Sequence, residues 1–350
     1  MSARALSGTC LERLVRMASP LLRAAQRQCP REGPGRLPDY EDWQVALLIL
    51  IAVLNRRKSK SAQYRFLHER RAALKPWLHL QDFPARSTYF IRYRQAHRLF
   101  EKAIGLQGAK ALAERVADAT VVAVDKSLVA ARGPVWHSHR RPSRGVDREA
   151  GWGYSDYDSW VWGYSFETVV TATPHSLVFP LLASAAPANV SECRTFLAKI
   201  PHLPAATRHV LADRGYDSNA CQDAVEVDPQ GRPTGRHFLC PLIRRAGNPP
   251  AGLYPQRGRR GQQCRRRRQR MEFLHSPRGR RLYARRSQTV EPFHEWFKNS
   301  FELTDRVWHR GADNNQTQLL AALFSYQLLL RYNHRCGHRN AQVQWILDAL

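Results

Sequence analysis

Hydrophobic and polar positions divide the chain into a helical first third and a mixed part that follows it. Between Tyr40 and Gly108 the apolar residues recur at helical spacing, in three segments separated by polar or proline-containing runs. The first segment, EDWQVALLILIAVL, is almost entirely apolar, which predicts a buried helix. The pattern predicts a helical domain over residues 37–118. A basic, loosely ordered lead-in with one short helix at most is expected over residues 1–36.

From Ala119 the pattern changes to short apolar runs that are rich in valine. Such runs are typical of buried strands, and helices are predicted between and after them. The predicted strands are residues 119–126, 161–173, 176–184, 206–213 and 236–243. This order favours an α/β fold in which a mixed sheet is flanked by helices. We place the α/β domain at residues 119–310 and a C-terminal helical segment at residues 311–350.

The charge of the chain differs from that of an average metabolic enzyme. Its 350 residues include 55 Lys and Arg against 29 Asp and Glu, a formal net charge of +26. Such an excess favours a polyanionic partner, most simply nucleic acid. The longest apolar run, Val45–Leu54, is too short to cross a bilayer, so we expect no membrane partner.

The cysteines and the N-terminus point to the cytoplasm. The seven cysteines are scattered and form no Cys-x-x-Cys pair, which is typical of a reduced compartment. The N-terminal residues lack the continuous apolar core of a signal peptide. We therefore expect a cytoplasmic protein.

Arginines cluster in two segments that we interpret as DNA contacts. The third helical segment, PARSTYFIRYRQAHRLFEKAI, carries Arg92 and Arg94 and could be the recognition helix of a small DNA-binding bundle. A solvated basic face on a packing domain is the alternative. The second cluster is an insertion at about residues 245–286, interpreted as gripping DNA phosphates, with a solvated basic loop as the alternative. Its densest part is Arg265, Arg266, Arg267 and Arg268.

Two aspartates stand where predicted buried strands end, Asp125 and Asp213. A carboxylate is costly to bury unless it is paired, hydrogen-bonded or bound to a metal. On neighbouring strands, the two side chains could share a hard cation such as Mg²⁺. A lone aspartate in such a place is more often a helix cap or a turn former. Both interpretations, a metal ligand and a cap or turn former, are open at this point.

The aromatic segment YSDYDSW offers two competing carboxylates, Asp156 and Asp158. No strand is predicted before them, so we interpret them as structural or DNA-proximal rather than as metal ligands. Trp160, Trp162 and Trp296 are expected in the core. The alternative for one of them is stacking on an unpaired base of bound DNA.

Four segments, taken in order, resemble DDE transposases of insertion sequences of the IS-four and IS-five type. VVAVDKS is similar to the segment around the first catalytic aspartate, and VLADRGYDS to the second-aspartate signature. The stretch WGYSFETVVTATPHSLVFPLLASAAPANVSE is similar to the family's sequence between them. QTVEPFHEWFK is similar to the helix that bears the catalytic glutamate. The resemblance covers about Ala119 to Phe301 and implies an RNase H-like fold.

By this resemblance, Asp125, Asp213 and Glu291 are the catalytic and metal-binding triad, for Mg²⁺ or Mn²⁺. Lys298 follows Glu291 by seven residues, as in the family's signature, and two helical turns place both side chains on one face. Lys298 is then a DNA contact.

The rest of that signature fits less closely. Tyr283 and Arg286 have the family's mutual spacing, but four residues, not three, separate Arg286 from Glu291. Arg285 is therefore an alternative to Arg286 as a DNA contact. Glu295 is the rival of Glu291, which we favour because only Glu291 gives the glutamate-to-lysine spacing.

The resemblance implies an enzyme that cuts and joins DNA. Water would free a 3′-OH at the element end, and that 3′-OH would attack target DNA. The family further implies a homodimer on DNA, in the bacterial nucleoid. The alternatives are a non-catalytic or domesticated DNA-binding protein of the same fold, and an RNase H-fold nuclease.

Overall fold

The computed structural model describes residues 3–29, 39–137, 141, 143–242, 258–338 and 340–350. Within these residues a mixed sheet of six strands is flanked by helices. This architecture confirms the predicted α/β class with an RNase H-like mixed sheet. The first part of the predicted insertion, residues 245–257, lies outside the described residues.

Helices make up the part of the chain that precedes the sheet. The predicted second and third helical segments are each divided in two, at Arg70 and at Ala96. The chain begins with a helix of 25 residues, so the expectation of a short helix in a loose lead-in is wrong for this part. The helices are α1 (Ala3–Arg27), α2 (Asp42–Leu54), α3 (Lys60–Glu69), α4 (Arg71–Leu78), α5 (Arg86–Gln95) and α6 (His97–Ala113).

Among the described residues, the first four strands follow one another without an intervening helix, and one α-helix precedes each of the last two strands. Five of the strands overlap the predicted ones, and one strand, β2, was not predicted. The strands are β1 (Val121–Ala130), β2 (Gly151–Ser155), β3 (Ser159–Thr171), β4 (Pro180–Pro187), β5 (His209–Ala212) and β6 (His237–Leu239). The later helices are α7 (Glu192–Lys199), α8 (Asn219–Glu226), α9 (Gly258–His275), α10 (Pro277–Tyr283), α11 (Arg285–Ser300), α12 (Ala312–Arg335) and α13 (Gln344–Asp348).

The sheet has the strand order β2-β3-β1-β5-β6, and β4 also pairs with β3. β1 is antiparallel to β3 and parallel to β5, and β5 is parallel to β6. β2 pairs with the first residues of β3, and β4 with the rest of it. β1 lies at the centre of the sheet, and its apolar residues are buried. Its parallel pairing with β5 ends partway along β1, and the side chains that follow on the two segments can meet at this point.

One helix joins the helical part to the sheet. Nearly every residue of α12 from Asn314 to Asn333 is buried, and the helix packs on α2, α6 and β4. Its Gln327 amide donates to the backbone carbonyls of Ile104 in α6 and Pro180 in β4. One continuous apolar core therefore extends from the first helices to the sheet.

Candidate active site

Asp125 and Asp213 lie side by side on parallel strands. The pairing of β1 with β5 ends at Val124 and Ala212, and each aspartate is the next residue of its strand segment. The prediction that Asp125 ends a strand is wrong, because β1 continues to Ala130 along its antiparallel partner β3. Only the parallel partner ends there, and this leaves room beside Asp125 for the second carboxylate.

The carboxyl group of Asp125 is held in a largely buried position. Its Oδ1 accepts a hydrogen bond from the Lys126 amide at 2.9 Å, and its Oδ2 accepts one from Arg286 Nη1 at 3.2 Å. Burial raises the pKa of Asp125 to about 7; the Arg286 guanidinium opposes this rise and the charge of Asp213 adds to it. The positive charge around Asp125 is therefore too small to keep the pKa of its carboxyl group at the ordinary value.

Asp213 begins the turn that follows β5. Its Oδ1 accepts a hydrogen bond from the Gly215 amide at 2.8 Å, so the side chain caps a short 3₁₀ turn, Arg214–Tyr216. Tyr216 is buried and donates through its hydroxyl to Glu167 at 2.9 Å. Tyr216 thus anchors the turn to Glu167 of β3, and the carboxylate of Asp213 stays beside Asp125.

Glu291 reaches the aspartates through Arg286. Both residues are on α11, and Arg286 Nη2 lies 3.9 Å from Glu291 Oε1 while Nη1 binds Asp125. The Glu291 side chain is 64% exposed. One guanidinium therefore joins the first and third residues of the predicted triad, and this residue is Arg286, not the alternative Arg285.

The other signature residues differ in how closely they approach the aspartates. The Tyr283 hydroxyl donates to the carbonyl of Ala212, directly before Asp213, at 3.1 Å. Lys298 is half-buried; burial lowers its pKa, and the carboxylate of Asp158 opposes that shift. Glu295 is exposed on α11. Tyr283 therefore contacts the segment that carries Asp213, whereas Lys298 interacts with the turn that holds Asp158.

Glu192 is a fourth carboxylate at this site, and it was not predicted. It is the first residue of α7, and its Oε1 lies 3.7 Å from Lys126 Nζ. A β-carbon at Gly215 would press on Glu192 Oε2 and lie 3.0 Å from Asp213 Oδ1, so glycine at this position leaves space for the two carboxylates. Burial raises the pKa of Glu192, and Asp213 adds to the rise. Glu192 is the last residue of the motif PANVSE, so the sequence contained a signal for it. Its contact with Lys126 joins distant parts of the chain and could not be found from the motif alone.

The carboxylates fit a hard cation by their chemistry. Carboxylate oxygens are the ligands that Mg²⁺ and Mn²⁺ prefer, and the buried Asp125 beside Asp213 has a deficit of positive charge that a cation would relieve. Across the described part of the chain, no three His, Cys, Asp or Glu side chains converge closely enough to hold one ion in this conformation. Arg286 occupies the position between Asp125 and Glu291.

A buried ion pair, Lys199 with Glu167, connects the segments that carry the carboxylates of the site. Lys199 Nζ lies 2.7 Å from Glu167 Oε1, and both side chains are almost fully buried. Glu167 also accepts hydrogen bonds from the hydroxyls of Thr195 and Tyr216, at 2.7 and 2.9 Å. The ion pair thus connects β3 with α7, which carries Glu192, and with the turn that begins at Asp213.

Some of the arginines in the predicted basic insertion bind carboxylates of the protein. Arg267 and Arg270 contact the buried Asp217, at 2.5 and 2.8 Å, and Arg266 pairs with Asp223. These pairs dock α9 on the segment that follows Asp213. Arg265 and Arg268 are exposed. Arg266 and Arg267 therefore have a structural use that the charge pattern did not indicate.

A similar division separates Arg92 and Arg94, the two residues of α5 that were predicted to contact DNA. The Arg92 guanidinium pairs with Asp42 and donates to the carbonyl of Tyr40 at 3.2 Å, so it holds α5 on α2. Arg94 is exposed on the same helix. Of these two predicted DNA contacts, Arg94 is exposed, whereas Arg92 is used within the protein.

The aromatic segment is a β-hairpin rather than a loop. Asp156 and Asp158 lie in the turn between β2 and β3, so the expectation that no strand precedes them is wrong. Trp162 is buried as expected, but Trp160 and Trp296 are exposed, which contradicts their assignment to the core.

Comparison with known proteins agrees with the order of these elements. A family model described as the transposase DDE domain matches residues 116–328, from just before β1 to within α12. A search among curated proteins gives no match. Among the helices of the described residues, none has the length and apolar content needed to span a bilayer.

Proposed function

The chain belongs to the family of transposases with a DDE domain, and on this premise we propose that it cuts and joins DNA through Asp125, Asp213 and Glu291. The observation that carries the proposal is the pairing of two strands that ends beside Asp125 and Asp213, with Arg286 joining Asp125 to Glu291. Membership in this family implies DNA as the partner. A homodimer on DNA, in the cytoplasm of a bacterium, is part of the proposal.

We assign each residue a role from its surroundings. Asp125 and Asp213 would hold Mg²⁺ or Mn²⁺, and Glu291 would complete the set once Arg286 turns toward a DNA phosphate. A bound divalent cation would supply positive charge for the attacking oxygen and for the phosphate. Arg286 and Lys298 would bind phosphates beside the cut, since a guanidinium matches phosphate geometry. Tyr283 would position the strand end before Asp213 through its bond to Ala212.

Cleavage of a supercoiled plasmid that carries the element's own ends tests this function. We expect nicks at the ends with Mg²⁺, none with a chelator, and cleavage again when Mg²⁺ is restored. The Asp213→Asn variant, which keeps the shape of the side chain, is the matched control and should bind the plasmid without cutting it. If the wild type binds but does not cut, the chain is a DNA-binding protein. If it cuts but never joins, it is a nuclease.

A pair of variants on α5 tests whether this helix contacts DNA. Because Arg94 is exposed, Arg94→Ala should weaken DNA binding by about 3- to 10-fold and lower the slope of log affinity against log salt by about 1. Arg92→Ala should instead lower the free energy of unfolding by about 1–3 kcal/mol, because it leaves Asp42 without this partner. Fluorescence anisotropy and chemical denaturation measure the two effects. Equal effects of both variants on DNA affinity would contradict the division.

A further inference from the structure

The hairpin of β2 and β3 has an aromatic face that passes from the core to solvent. Trp152 is opposite Trp162, and Tyr154 is opposite Trp160. Residues directly opposite, and residues two apart, share a face of a hairpin. The rings are in contact, with centroids 5.6 Å apart in the first pair and 5.4 Å in the second. Four aromatic side chains therefore form one ladder.

The outer half of this ladder is open to solvent. Tyr154 is 56% exposed and Trp160 is 67% exposed, and Tyr157 at the turn is 95% exposed. The opposite face of the hairpin is closed, because a β-carbon at Gly153 would press against Leu128 and Ala188. The glycine thus lets the hairpin lie flat on the protein and turns its aromatic face outward. Large apolar groups exposed together in this way mark a binding surface.

A hydrogen bond closes the turn of the hairpin. The Asp158 amide donates to Ser155 Oγ at 2.8 Å, and Ser159 takes the left-handed conformation, with φ of 60°. A turn that is already closed loses less conformational entropy when its side chains bind a ligand. The two strands, and the aromatic residues opposite one another on them, are held in register beside this turn.

Two carboxylates in the turn direct the hairpin toward the candidate active site. Asp156 pairs with Arg214, the residue after Asp213, at 2.9 Å. Asp158 acts on the charge of Lys298 of α11. The turn thus contacts the residue that follows Asp213 and interacts electrostatically with α11, which carries Glu291. Arg214 is largely exposed and pairs with the turn, so a cation stands next to the hairpin.

We propose that the exposed aromatic face of this hairpin, with Tyr154, Tyr157 and Trp160, binds unpaired bases of DNA next to the cut. The inference rests on the proposed function, because cutting and joining DNA ends exposes unpaired bases at the site. Aromatic rings stack on bases only where strand separation frees the flat side of the base, and neighbouring cations bind the phosphates. The net charge of +26 favours this partner over an acidic or apolar protein surface.

The test compares single-stranded and duplex DNA as ligands of the full chain. The probes are an oligothymidine of about 20 nucleotides, which cannot pair with itself, and a duplex of the same length; stacking contributes about 1–3 kcal/mol per base. Trp160→Ala should weaken binding of the oligothymidine by about 5- to 50-fold and binding of the duplex by less than about 2-fold. Trp160→Phe, which keeps a ring, should retain most of the affinity.

Two further variants separate stacking from damage to the fold. Tyr157→Ala removes a side chain that is 95% exposed, so it should leave thermal unfolding unchanged and still weaken oligothymidine binding by about 2- to 5-fold. Trp345→Ala removes an exposed tryptophan on α13 and should change neither affinity. The slope of log affinity against log salt should be the same in the wild type and in Trp160→Ala, because no phosphate contact is lost.

Three outcomes would overturn the inference. The first is that Trp160→Ala and Tyr157→Ala leave oligothymidine binding unchanged, and the second is that they weaken duplex binding equally. The third is that they change the oligomeric state of the protein in solution but not its affinity for DNA. The last result would assign this face to a second copy of the chain. The proposed function fails separately: a wild type that never cuts with Mg²⁺, but loses oligothymidine affinity through Trp160→Ala, would retain the base-binding surface without the reaction.

Discussion

Replacement of Asp125 by asparagine should abolish DNA cleavage while it makes the metal-free protein more stable. Loss of one metal-binding carboxylate removes about 4 kcal/mol or more of transition-state stabilisation, which corresponds to a decrease in rate of about 10³-fold. The opposite effect on stability follows from burial, which raises the pKa of this carboxyl to about 7 despite the guanidinium of Arg286. The charged form is therefore unfavourable in the folded state, and asparagine is uncharged.

The pH dependence of stability tests the same residue without any reaction. The folded protein binds a proton at Asp125 more tightly than the unfolded chain, in which the pKa is near 3.8. The contribution of Asp125 to stability is therefore complete below about pH 4 and is lost as the pH rises toward 7. In a chelating buffer, the midpoint of thermal unfolding should fall over this range for the wild type more than for Asp125→Asn.

A matched variant separates the effect of losing any carboxylate from the effect of losing the carboxylate of Asp125. Glu295→Gln removes a carboxylate that is exposed on α11, so neither cleavage nor the pH dependence should change. If Asp125→Asn cleaved DNA at the wild-type rate, the assignment of the first metal-binding residue would be wrong. If its stability followed pH as the wild type does, the buried carboxyl would not be the group that titrates.

The sequence was sufficient to predict most of the sheet because apolar runs are a local property. The runs that contain Asp125 and precede Asp213 are strands, and they pair in parallel within the mixed sheet. β2 was missed because Gly151 and Gly153 are typical of a loop. Their role appears only in three dimensions, where Gly153 allows close approach to Leu128 and Ala188.

Charge was the less reliable guide, because a composition does not show which charges are paired. Arg266 and Arg267 belong to the densest basic cluster, yet they bind Asp223 and Asp217, which lie more than 40 residues earlier. The same limitation hid Glu192, whose contact with Lys126 spans two distant segments. Residues of the candidate site that lie in short motifs could be found from the sequence, whereas those brought in by tertiary pairing could not.

The largest loss of stability is expected from Lys199→Met. Lys199 and Glu167 are both almost fully buried and 2.7 Å apart, so the variant leaves a carboxylate in the core without its cation. Breaking a buried ion pair from one side costs about 3–5 kcal/mol, measurable as the free energy of unfolding in urea. Lys75→Met, which removes an exposed pair with Asp82 at 4.0 Å, should cost less than about 1 kcal/mol.

The double variant Glu167→Gln, Lys199→Met identifies the cause of that loss. Removing both charges should recover most of the stability, because no uncompensated ion remains in the core. Cleavage should be impaired in the double variant, since the hydroxyls of Thr195 and Tyr216 would donate to a neutral amide oxygen in place of the carboxylate that they bind. Tyr216 anchors the turn that presents Asp213, so the buried pair links the stability of the sheet to the position of a reactive carboxylate. A double variant no more stable than Lys199→Met would indicate that packing, rather than charge, is what Lys199 contributes.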